Sequence, residues 1–184
     1  MAHRQGRARG RKIHLVGSRL WGCGSESAAG HPREAGEGRT VKVTSILKVK
    51  GRQVATVRSD ATIGSIVRTL TAKSIGAVIV SEDGVNLLGL VSERDIVQAL
   101  GVYGARTLDL HASDIMVRRP VTCLPNDSVT RLMADMTRHR VRHLPVVEDG
   151  RLQGIVSIGD VVKHRLDELE MEANILRESF LARH

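Results

Sequence analysis

The chain has 184 residues, room for one ordinary domain or two small ones, with 41% apolar residues, 26% charged residues and two cysteines. No run approaches the roughly 18 apolar residues that cross a bilayer, and two cysteines are too few for a disulfide framework, so a reducing, cytoplasmic setting is expected. The formal net charge of +8 suggests nucleic acid only until it is located: residues 1–40 hold eight Lys/Arg against three Asp/Glu, and the remaining 144 hold twenty against seventeen. With single Trp, Tyr and Phe residues there is no base-stacking platform, and nucleic acid is not the expected partner.

In chain order, residues 1–40 come first, with eight of the eighteen glycines and no sustained periodicity. Their basic start resembles a signal peptide, but Arg19 breaks the apolar stretch. "LWGC" resembles a lipoprotein cleavage site at Cys23 without the hydrophobic segment such a site needs, and the Arg-rich, acid-poor opening also fits an organelle transit peptide. The expectation is a disordered basic leader, with ordered sequence starting near Val41. A strand near Thr56 is then followed by a helix whose apolar face is Ile63, Ile66, Val67 and Leu70. The runs "AVIVS" (77–81) and "LLGLV" (87–91) flank the turn residues Glu82–Gly84 and read as two strands. A second helix opens at Ser92.

Asp114 to Met116 form a helical turn, and at Pro120 the pattern restarts. Cys123 falls in a strand. Val129, Leu132, Met133 and Met136 mark a helix face, and "HLPVV" (143–147) and "LQGIV" (152–156) flank Glu148–Gly150. A last helix opens at Ser157. From Val162 it carries a heptad seam of Val162, Leu166, Leu169, Ala173, Leu176 and Phe180. The seam either packs on its own domain or joins two copies of the chain.

The two passages are copies. Residues 54–84 overlay the chain at an offset of 66: Thr56 meets Thr122, Thr71 meets Thr137, Val80 meets Val146, and the two "EDG" turns coincide. After a one-residue deletion, "GLVSERD" (89–95) meets "GIVSIGD" (154–160). Each copy reads strand, helix, strand, strand, helix. A unit of about 50 residues buries too little surface to stand alone, so the copies are expected to share a core as a pseudo-twofold pair rather than a solenoid.

Gly-x-x-Ser-x-x-Asp has a structural reading and a functional one. Serine and an acid three residues later form a capping box, with glycine allowing close approach. The same helix start offers free N–H groups to a phosphate, and its carboxylate offers acceptors to a diol such as ribose. The two readings are compatible, and duplication in matching contexts favours the second.

On these residues the region from Val41 to Leu166 resembles a tandem pair of cystathionine-β-synthase (CBS) domains, a Bateman module, both copies carrying the family's Gly-x-x-Ser/Thr-x-x-Asp signature in full. The resemblance implies an α/β (α+β) fold of two pseudo-symmetric β-α-β-β-α units, residues 41–110 and 111–166, packed as a pair and followed by an extended helix over 160–182. It implies two clefts for adenosine compounds such as AMP, ATP or NAD(H). Asp95 and Asp160 would hold ribose hydroxyls, and Ser92 and Ser157 would lie beside phosphate. Arg142 and His143, at the start of the central strand, are candidate phosphate contacts. The first copy has Gly76 and Ala77 there, and Arg94 is a candidate substitute for the missing charge. The family also contacts the base through segments matching residues 50–54 and 116–120. It implies a regulatory module acting on a partner protein or on its own homodimer, and not an enzyme. The alternatives are a metal or redox sensor using Cys123 with His139 or His143, and a dimeric scaffold that binds no nucleotide.

Overall fold

A computed structural model describes residues 41–181; the expected leader lies outside the described residues. Helix α1 (Val43–Lys50) precedes strand β1 (Thr56–Val57), helix α2 (Ile63–Lys73), strands β2 (Ala77–Val80) and β3 (Gly89–Ser92), and helix α3 (Glu93–Tyr103). A 3-10 turn (Gly104–Asp109) and the short helix α4 (Ala112–Ile115) lead into α5 (Val129–His139), β4 (His143–Glu148), β5 (Arg151–Ser157) and the 24-residue α6 (Ile158–Leu181). In each copy most of the predicted helix face is buried, Ile63, Ile66 and Leu70 on α2 and Val129, Leu132 and Met136 on α5, whereas Val67 is partly buried and Met133 exposed. Thr62 and Ser128 cap these helices by accepting from Ser65 N and Arg131 N, which satisfies an amide left open at each start.

The first copy forms a three-stranded sheet, β1 parallel to β2 and β2 antiparallel to β3. In the second, β4 and β5 pair antiparallel, and the predicted first strand shrinks to one parallel bridge between Cys123 and Val146. Proline explains the difference. Ile79 N donates to Ala55 O in the first copy; its counterpart is Pro145, which has no N–H to give.

Helix α1 was not expected, and neither was its destination. Val43, Ile46 and Leu47 are buried with Leu132, Met136, Leu144, Val146, Val156 and Val161, the core of the second copy. Reciprocally, Ala112 of α4, with Ile115 and Met116 beside it, packs into the first copy's core around Ile63, Ile66, Val78 and Val91. The backbone repeats the exchange: Val43 N donates to Asp127 O, and Ala112 N donates to Ala61 O. The signature glycines serve this packing. A Cβ at Gly154 would meet Leu47 Cδ2 at 2.7 Å, and one at Gly89 would meet Met116 Sδ at 2.7 Å and Val117 O at 2.9 Å. The close approach they permit is to the exchanged segment, not to the helix that follows.

Along α6, Val161 is buried, whereas Val162, Leu166 and Leu169 of the predicted seam stand about half exposed. The side chains of Leu176 and Phe180 lie outside the described ones. No described helix is long and apolar enough to cross a membrane.

Candidate functional site

Strand β5 delivers Ser157 to the start of α6, where its N–H donates to Asp160 Oδ2 at 2.8 Å and its hydroxyl donates to the same oxygen at 2.7 Å. The hydroxyl also accepts from Asp160 N, completing a capping box. The first copy repeats this at α3: Ser92 N and Oγ donate to Asp95 Oδ2 at 2.8 and 2.6 Å. Both carboxylates thus fix a helix start, and their other oxygen, Oδ1, accepts no hydrogen bond from the described residues.

Around Asp160 the two copies enclose a cleft of about 650 Å³. Its floor is Ser157, Asp160 and Ile155 of the second copy, and its facing wall is Val54, Ala55, Ile75, Gly76 and Ala77 of the first. These are aliphatic and backbone surfaces, and no described Phe, Tyr or Trp lines the cleft. The lining also carries the polar side chains of Lys50, Lys73, Gln53 and His143. Lys50 Nζ donates to Asp160 Oδ2 at 2.5 Å and to Ile155 O at 3.3 Å. Burial would raise the Asp160 pKa, but the hydrogen bonds from Lys50 and Ser157 outweigh it and hold the carboxyl below its usual value of 3.8. Burial, reinforced by Lys50, lowers His143 below 6.5, which favours its uncharged imidazole. The ring rests on Gly76, where a Cβ would meet its Cε1 at 3.1 Å.

The sequence-selected residues are therefore distributed as follows. Ser157, Asp160 and His143 share the cleft, and Ser92 and Asp95 form the matching motif. Arg142 is exposed and does not line the cleft; its carbonyl accepts from Ile158 N. Arg94 reaches across to the second copy, its guanidinium donating to Arg140 O at 3.4 Å. Lys50 was missed as an individual, although the segment it begins was singled out, and Lys73 was missed altogether. The metal alternative lacks geometry: no group of three His, Cys, Asp or Glu able to hold an ion occurs among the described residues. Cys123 is buried against Pro145 O, and burial pushes its thiol up to about 12, far from the thiolate a redox sensor needs.

The CBS domain family matches residues 48–102 and 112–167. The CBS domain-containing protein CBSX3, mitochondrial, of Arabidopsis thaliana is 31% identical over 147 residues, 76% of this chain and 71% of its own. The crystal structure of the CBS-domain containing protein ATU1752 from Agrobacterium tumefaciens superposes with a TM-score of 0.65 at 48% identity, covering 68% of this chain and 99% of that one. The CBS domain pair of protein MJ0100, crystallised with 5′-methylthioadenosine and S-adenosyl-L-methionine, shares the fold with a TM-score of 0.61 at 24% identity, over 70% of this chain and 98% of its own.

Proposed function

The chain belongs to the CBS-domain family, and from that premise we propose that it senses adenine nucleotides (AMP, ATP or NAD(H)) at the Asp160 cleft and at the matching Asp95 motif. CBS pairs are regulatory modules that often bind adenosine ligands, and proteins made of such pairs are typically regulatory rather than catalytic. The observation that carries the reading is the Asp160 cleft itself. It sets a capped, ionised carboxylate in one cleft with aliphatic walls, two lysines and a histidine. The carboxylate suits a ribose diol, the walls suit adenine, and the cations suit phosphate. The MJ0100 complex shows what that protein's CBS pair holds, and its ligands share the adenosine moiety proposed here.

The output is mechanical. The cleft joins both copies, so a nucleotide that prefers one disposition of its walls shifts the population toward it. A partner protein or the second subunit of a homodimer reads that shift, and the exposed seam on α6 is the surface we assign to the dimer. The cytosol remains our expected compartment. CBSX3 is described as mitochondrial, and a mitochondrial location is the alternative that the Arg-rich residues 1–40 support.

Isothermal titration of the purified chain with AMP, ATP and NADH tests the site. Micromolar binding is expected, with Asp160→Ala weakening it about tenfold or more by removing a charge-assisted acceptor and Asp95→Ala acting on the first motif. Unaltered binding in both variants overturns the assignment.

A further inference from the structure

The two repeated carboxylates sit among unequal charges. At Asp160 the Lys50 ammonium is paired with the carboxylate itself at 2.5 Å, and the facing wall carries Gly76 and Ala77. The repeat offset of 66 puts Arg142 and His143 where the first copy has Gly76 and Ala77. The backbone repeats the match: Glu93 N donates to Gly76 O at 3.0 Å, and Ile158 N donates to Arg142 O at 2.9 Å. Arg142 therefore stands to Asp95 as Gly76 stands to Asp160, and its exposed side chain does not line the Asp160 cleft. A second arginine comes to the same place. Arg94 precedes Asp95, where Gly159 precedes Asp160, and its guanidinium donates to Arg140 O at 3.4 Å. That contact carries the Arg94 charge from the first copy to the backbone two residues ahead of Arg142. Neither guanidinium has a carboxylate partner among the described residues. Each guanidinium is a fork that can grip two phosphate oxygens at once, so two of them suit a chain of phosphates better than a single one.

We propose that Arg94 and Arg142 make the Asp95 motif the receptor for adenosine ligands with two or more phosphates, while the Asp160 cleft, whose Lys50 charge is already matched, discriminates less. The proposal rests on the nucleotide reading above and adds its specificity. It gives the two copies different ligands to report, although their serine and aspartate are the same.

The test compares ATP with AMP by titration calorimetry, using the full chain carrying Asp160→Ala so that the Asp95 motif reports. ATP is expected to bind about tenfold or more tightly than AMP, the worth of one charge-assisted hydrogen bond. The Asp95→Ala protein, in which the Asp160 cleft reports, should show a smaller ratio. Adding Arg94→Ala and Arg142→Ala to the Asp160→Ala chain should lower its ratio about tenfold or more, whereas Arg142→Lys, which keeps the charge, should retain part of it. Both arginines are exposed, so an unchanged thermal midpoint is expected and separates lost contacts from lost folding. Equal ratios in the two single-site proteins, or a ratio indifferent to the arginines, overturns the proposal. So does an Asp160→Ala protein that binds neither nucleotide while the unaltered chain binds both, which leaves the Asp160 cleft standing. No binding of either nucleotide to the unaltered chain removes the nucleotide reading itself, a different result.

Discussion

Asp95 and Asp160 occupy matching positions with matching serines, and one lysine separates their surroundings. The carboxylates and serines were legible because the motif is local and appears twice. Lys50 was not, because the carboxylate it pairs with lies 110 residues away, and nothing in a local pattern marks a contact of that range. His143 was legible as a strand-start residue, but its protonation state follows from burial that the sequence does not display. That state has a consequence. Its folded pKa lies below 6.5, so its stabilising contribution is complete above that value. As pH falls from 6.5 through the folded pKa, the unfolded chain takes up the proton first and the contribution is lost. Thermal denaturation between pH 7.5 and 5.5 should show a falling midpoint, with a shallower fall in His143→Gln. Equal slopes in the two proteins would assign the pH dependence to other groups.

Each periodic element read from the sequence formed, and the departures have backbone causes. Pro145 truncates the second sheet's first strand for want of an N–H. The shared "EDG" turns diverge. Asp149 and Gly150 both adopt left-handed geometry (φ 50° and 75°) in the tight β4–β5 hairpin, as a two-residue connection requires. In the first copy, Asp83 instead gathers the amides of Val85 and Asn86 in a longer loop, and those bonds hold its carboxyl well below the ordinary range. The signature glycines are alike in sequence but unequal in tolerance. A methyl at Gly89 runs into the Val117 carbonyl, which is backbone and cannot swing aside, as well as Met116; at Gly154 it meets the end of the Leu47 side chain. Gly89→Ala should therefore cost about 1–3 kcal/mol as an overpacked site, and Gly154→Ala less. Urea unfolding of both variants measures the order, and the reverse order would contradict this packing.

For the whole molecule, the duplicated sequence pattern made the paired architecture legible, while the exchange of α1 and α4 was hidden. Neither segment is distinguished by periodicity; α1 has eight residues and α4 only four. The other large-scale feature is the row of half-exposed side chains along α6. A homodimer using it should be lost in Leu166→Asp/Leu169→Asp, read as a halved mass by light scattering. A dimer of unchanged mass would place the subunit contact elsewhere.

Reciprocal donation of α1 and α4 also dictates how the molecule comes into being. During synthesis α1 leaves the ribosome early, yet the strands and helix that shelter Val43, Ile46 and Leu47 are completed more than a hundred residues later. Until then its apolar side must wait in water or in the care of a chaperone. The first repeat receives α4 soon after its own strands, so it consolidates ahead of its twin. Because each half's core contains a segment from the other side of the repeat, the two halves are expected to unfold in one transition, which a calorimetric scan checks by agreement of its calorimetric and van't Hoff enthalpies.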